Sequence, residues 1–128
     1  MLMHKAPSMF DAIDILEKEL VVQDLTTIID TGALRSLAPL LHPSAIIEGI
    51  IGDTVSGPKA IVREMKHFVE FFHASFHTTA ASMSTDFVVI EMTIEMTLPR
   101  AARRSHRSVA ILELRDGFIY RWTQSYVR

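Results

Sequence analysis

One dipeptide near the end of the chain constrains the fold more than anything before it. Residues 109–114 read V-A-I-L-E-L, residues 118–127 read F-I-Y-R-W-T-Q-S-Y-V, and Asp116-Gly117 stands in the gap. Two β-rich runs around Asp-Gly are the strongest short-range hairpin signal, because the tight turn needs positive φ at both central positions. The second run alternates, with Tyr120, Trp122, Gln124 and Tyr126 on one face and Arg121, Thr123 and Ser125 on the other. A strand that turns aromatics and an amide to one side can line a pocket. It can equally pack on a helix.

The remaining patterns supply what that hairpin pairs with. Phe10, Ile13, Leu16 and Leu20 fall at helical spacing, with Asp11, Asp14, Glu17, Lys18 and Glu19 as the wet face. The stripe then changes phase to Val21, Leu25 and Ile28, which fits a helix bent near Gln23 or two helices. Asp30-Thr31-Gly32 stops it, with Gly32 suited to a left-handed cap. Residues 33–41 read as a short helix interrupted by Pro39, and His42-Pro43-Ser44 as its end. Residues 45–51 are β-branched and predict a strand, and 53–57 a loop. Ser56 is placed to cap a helix over about 59–76, with Pro58 in its first turn. Its apolar stripe is Ile61, Met65, Phe68, Phe72 and Phe76. A strand follows over 77–83. Residues 87–98 then alternate cleanly, Met92, Ile94, Met96 and Leu98 against Glu91, Thr93, Glu95 and Thr97. Residues 99–105 are the loop to the hairpin.

Helices first and antiparallel strands last predict an α+β fold, a curved antiparallel sheet wrapped around N-terminal helices. The chain has 128 residues and reads as a single domain, with residues 1–9 as a loose tail. Composition then narrows the partners. A net charge of −2 gives no electrostatic footprint for nucleic acid, and the cluster Arg100, Arg103, Arg104 and Arg107 reads as a solvated turn. The absence of cysteine excludes a disulfide framework and a thiol nucleophile. The opening M-L-M-H-K-A-P-S-M lacks the apolar run of a secretory signal, and no apolar stretch approaches the ~20 residues of a membrane span. A cytoplasmic location and no membrane partner are expected.

Four segments, in this order, resemble one family. They are I-D-T-G-A-L-R-S-L-A-P-L-L-H-P-S-A-I-I-E at 29–48, T-V-S-G-P-K-A-I at 54–61, V-V-I-E-M-T-I at 88–94 and L-R-D-G-F-I-Y-R-W at 114–122. From about residue 10 to 128 the chain resembles the nuclear transport factor 2-like superfamily, in its SnoaL-like and ketosteroid-isomerase-like branch. The resemblance implies a cone-shaped cavity inside a curved sheet. It also implies isomerase, cyclase, epoxide hydrolase, dehydratase or purely binding functions, so fold alone does not choose among them. The acids and bases that resemblance would bring are absent. Gly49 stands where ketosteroid isomerases place the base aspartate, Leu25 near their oxyanion tyrosine, and Val109 near their proton-donating aspartate. Gln124 replaces the aspartate of SnoaL-like cyclases. Met92 and Ile94 lie on the strand where epoxide hydrolases of the superfamily need an arginine and an aspartate.

Histidine is the natural acid/base near neutral pH, and the chain has six. His77, between a helix and a strand near the cavity mouth of such a fold, and His106, opening the penultimate strand, are the catalytic candidates. A helix-capping role for His77 and a surface role for His106 are the alternatives. Gln124 and Tyr126 are the polar groups that would orient a ligand, with Trp122, Met92 and Ile94 as apolar wall or core. Glu70, His73 and His77 could share a helical face, and histidines four apart can hold zinc. That face is offset from the apolar stripe, so neither metal nor cofactor is expected. The expected partners are a small hydrophobic molecule, possessing the cone, and a second copy of the chain, paired through the sheet. The leading expectation is a small apolar metabolite in the cone, coupled to lyase, isomerase or cyclase chemistry. The alternative is a binding or assembly module without catalysis. A wide cavity holding His77 or His106 favours the enzyme; a cavity filled by Met and Phe favours the module.

Overall fold

The computed structural model describes residues 9–49, 53–84 and 86–127, and side chains from residue 12. The helices are α1 (Met9–Thr31) and α2 (Pro58–Phe72). The strands are β1 (Leu41–Glu48), β2 (Val55–Ser56), β3 (Ser75–Met83), β4 (Phe87–Thr97), β5 (Arg103–Arg115) and β6 (Phe118–Tyr126). They form one sheet in the order β2-β1-β6-β5-β4-β3. All neighbours run antiparallel except β1 and β6, which are parallel. The architecture is the expected α+β one, with a mixed rather than wholly antiparallel sheet. The expected tail falls outside the described residues up to residue 8, and Met9 already belongs to α1.

The hairpin forms as its dipeptide dictates. Asp116 has φ +54° and Gly117 φ +80°, joining β5 to β6. The alternation of β6 is broken once. Leu114 pairs with Ile119 and Glu113 with Arg121, so Tyr120 is an extra residue in a β-bulge. Ile119 therefore takes the inward place expected of Tyr120 and is fully buried. Tyr120 lies under the Arg115 guanidinium, 3.7 Å from its ring centre, and meets His42 edge-on.

The inward face of the sheet is a row of apolar residues from each strand. Val88, Ile90, Met92, Ile94 and Met96 of β4 are buried, as are Ala110 and Leu112 of β5 and Trp122 and Gln124 of β6. Their cross-strand partners match, for example Ile90 with Ala110 and Leu112 with Trp122. The helices close over this face with Val21, Leu25, Ile28 and Ile29 of α1 and Ile61, Met65 and Phe68 of α2.

Several expected boundaries move, each for a local reason. α1 is one unbroken helix, and only its second half joins the core. Ile13, Leu16 and Leu20 remain about half exposed, with Leu16 and Leu20 bordering an open groove between α1 and β3. The Thr26 and Thr27 hydroxyls both donate to the Gln23 carbonyl, which holds the turn at the phase change inside the helix. Residues 34–40 form two 3₁₀ turns instead of a short α-helix, with Pro39 in the second and Leu37 buried. His42 belongs to β1, where its Nδ1 accepts the Ser44 N–H. Gly57, not Ser56, occupies the N-cap of α2. α2 ends at Phe72, four residues early, because His73 turns left-handed (φ +47°) and its N–H caps Val69. Phe76 consequently packs into the core from β3.

Candidate functional site

The ends of both helices and the start of β3 meet over the middle of the sheet, and they leave a hollow there. Ile29, Asp30 and Thr31 of α1 form one side, and Met65 and Val69 of α2 another. The corner residues Ala74 to His77 form the rim, and Met92, Trp122 and Gln124 the floor. The cavity measures about 160 Å³. An apolar cavity of about 150 Å³ is known to stay dry and to bind benzene, so the space suits one small ring. Met65, Phe76 and Met92 of its lining are buried, and Phe68 packs behind them in the core. A larger hollow of about 580 Å³ lies between α1 and β3, but it is an open groove flanked by exposed Leu16, Leu20 and Met83.

The floor is held by a buried polar chain. The Trp122 indole N–H donates to Gln124 Oε1 at 2.8 Å. Gln124 Nε2 donates to Ser108 Oγ at 2.6 Å and contacts Met92 Sδ at 3.5 Å. The Ser108 hydroxyl donates to the Ser125 carbonyl at 2.8 Å. An indole nitrogen can only donate, which fixes the amide with its oxygen toward Trp122. Both amide hydrogens of Gln124 are thus committed inside the protein. Its carbonyl oxygen keeps a second lone pair.

The sequence-derived candidates divide accordingly. Gln124, Trp122 and Met92 lie on the cavity wall. Ile94 is fully buried in the core and does not line it, because Phe76 sits across from it on β3. Tyr126 lies at the strand end, about 41% exposed and outside the cavity. Burial pushes its phenol above the ordinary 10.0. His106 stands across from Ile94 and meets Tyr126 edge-on, with ring centres 6.3 Å apart. Its Nε2 is buried without a hydrogen-bond partner among the described residues, and it too lies outside the cavity. His77 touches the cavity, but it pairs with Thr93, whereas Phe76 and Thr78 pair with the inward Ile94 and Met92. Alternation therefore turns the exposed His77 outward, and it meets the cavity only at the rim.

The helical face that Glu70, His73 and His77 would need does not exist. α2 stops before His73, and His77 is on β3. No metal-holding cluster of His, Asp and Glu occurs among the described residues. The arginine cluster is exposed as expected, but only Arg100 of it lies in a turn. Arg103, Arg104 and Arg107 lie in β5. Arg103 donates to the His73 carbonyl at 2.6 Å and to Ser75 Oγ at 3.1 Å, with Glu95 beside it at 3.6 Å. It thereby fixes the α2–β3 corner that forms the rim.

Sequence reasoning missed Asp30. It was legible only as the end of a helix, yet it lines the cavity and accepts the Thr78 N–H on Oδ1 at 2.7 Å. That bond anchors β3 next to the point where its pairing with β4 slips, between Thr78 and Ala80.

The position of the isomerase base is closed by backbone geometry. Gly49 has φ +93°, and an added Cβ would run into the Gln124 carbonyl oxygen. A side chain there is incompatible with the way β1 approaches β6.

Solved structures share this fold at low sequence identity. A nuclear transport factor 2-like protein of unknown function from Mesorhizobium loti superposes with TM-score 0.73 at 15% identity, over 88% of this chain and 92% of that one. TerC co-crystallised with polyporic acid gives 0.73 at 18%, over 87% and 92%. An LEH-like epoxide hydrolase from M. tuberculosis gives 0.68 at 13%, over 88% and 84%. Among curated proteins, none matches the chain in sequence. The family model for the SnoaL-like domain matches residues 22–122, from the second half of α1 to Trp122 in β6. The chain belongs to the SnoaL-like domain family, and its fold is shared with nuclear transport factor 2-like and ketosteroid-isomerase-like structures.

Proposed function

We propose that this protein binds a small apolar molecule, about one ring in size, in the cavity between α1, α2 and the sheet. One observation carries the reading. The fold leaves about 160 Å³ of mostly apolar space over a floor whose polar groups are internally hydrogen-bonded. Empty apolar space forfeits dispersion contacts, and a fitting ligand restores them. Drug-sized ligands occupy roughly 300–1,000 Å³, so the partner is smaller than those. Val69 lines the cavity, and Val69→Phe would fill it. Toluene should raise the Tm of the wild type in a concentration-dependent way and leave that of Val69→Phe unmoved. No shift in the wild type would overturn the proposal.

Acid–base turnover of the lyase, isomerase or cyclase kind is the second reading, and His77 at the rim favours it. Binding without turnover takes precedence because neither His77 nor His106 sits inside the cavity. Loss of turnover in His77→Ala, with ligand binding retained, would reverse that order.

The proposal extends to a homodimer in the cytoplasm, paired through the outer face of the sheet. Val89, Val109 and Ile111 lie there, and Ile111 is about 41% exposed. Light scattering at working concentration should give twice the 14.4 kDa chain mass. A monomer mass would remove the dimer and leave the cavity proposal standing. No helix among the described residues is long and apolar enough to cross a membrane.

A further inference from the structure

We infer that the cavity selects a small apolar amine, with the Asp30 carboxylate as the group that meets the ammonium. This rests on the binding proposal above and adds the chemical class of its ligand.

The polar atoms facing the space are mostly acceptors. Asp30 is the sole carboxylate among the described lining residues, standing exposed at the border between this cavity and the open groove along α1 and β3, and no lysine or arginine is among the lining residues. Its Oδ1 accepts the Thr78 N–H, and Oδ2 has no partner among the described residues. Gln124 has committed both amide hydrogens and offers only its oxygen. The Trp122 N–H is likewise taken. The Thr31 hydroxyl donates to the Thr27 carbonyl at 2.6 Å, which leaves it an acceptor toward the space.

Backbone adds the same sign. Asp30 stands in the last turn of α1, which carries no basic residue, so the unpaired carbonyl ends there favour a cation. The opposing groups lie at the rim. His77 is exposed and outward-turned, and the Ser75 hydroxyl keeps its proton while accepting from Arg103. Arg103 reaches Ser75 from the outer face of the sheet and is paired with Glu95. A ligand carboxylate would therefore face acceptors and a negative charge, and an ammonium would be matched by both.

The test uses probes of one shape and different charge, titrated against the wild type by calorimetry at neutral pH. Toluene reads the cavity, benzylamine the cation, and benzoate the anion. Benzylamine should bind about tenfold more tightly than benzoate, the size expected from one attractive and one repulsive contact with a solvent-accessible carboxylate. In Asp30→Asn, whose amide oxygen can still accept from Thr78, that ratio should fall to about one. Toluene binding with benzylamine no tighter than benzoate overturns the inference and leaves the cavity proposal intact. Failure of all three probes, toluene included, overturns both. If Asp30→Asn does not fold, the wild-type ratio decides alone.

Discussion

Gly49 shows how a single residue closes one chemistry and keeps another. Its positive φ and the nearness of the Gln124 carbonyl leave no room for a side chain. Gly49→Ala should lower stability by about 2–4 kcal/mol through backbone strain and the clash together, measured by urea unfolding. A loss within about 0.5 kcal/mol, the range of an ordinary surface change, would contradict this. Gln124 is the complementary case. From the sequence it reads as a ligand-orienting amide, and the residue does sit on the wall. Its hydrogen bonds nevertheless run to Trp122, Ser108 and Met92. Gln124→Leu strands the Trp122 N–H in a buried site and should destabilise by about 1–3 kcal/mol. Unchanged stability would show that the chain of bonds is not what fixes the floor. Tyr126 supplies a pH test. Its phenol holds its proton more tightly in the folded state because burial disfavours the phenolate. As pH rises past the ordinary 10.0, the unfolded chain loses this proton first. Stability therefore falls through that window, having been complete below it. Tyr126→Phe should fall less steeply above pH 10, seen as a smaller alkaline drop in Tm; an identical drop would contradict the assignment.

Elements were legible in the sequence where local pattern and tertiary demand agreed. Asp116-Gly117 specifies a turn whose backbone angles it alone satisfies cheaply. The alternation of β4 survives intact because one of its faces is dry throughout. Pattern failed where a residue's place depended on something distant. Nothing in the run 118–126 marks Tyr120 as an inserted residue; pairing with β5 decides it. α2 ends at His73 although neither glycine nor asparagine stands there, so the stop carries no sequence signal. β2 has only two residues and exists through its pairing with Ile46 and Ile47 of β1. The first half of α1 has a proper helical stripe, yet Leu16 and Leu20 border an open groove beside β3 and stay about half exposed. Asp30 was hidden for the same reason. Its neighbours in the cavity come from α2, β3, β4 and β6, and no local window contains them.

At the scale of the whole molecule, the space between the helices and the sheet is small. Trp122, Met92, Met65, Phe68 and Phe76 are all buried, and they leave one small space beside Asp30. The positions where the resemblance would place an acid or base hold apolar Leu25, Met92, Ile94 and Val109, the closed Gly49 and the non-titrating amide of Gln124, and the two candidate histidines stand at the rim or beyond it. Those features together favour recognition over turnover. The chain contains one tryptophan, and that residue is on the cavity floor. Its indole N–H resonance is therefore a reporter confined to the proposed site. Toluene titrated into isotope-labelled wild type should move the Trp122 resonance saturably, and Val69→Phe should abolish that movement. A Trp122 resonance that stays fixed in the wild type at saturating toluene would contradict a ligand site in this cavity.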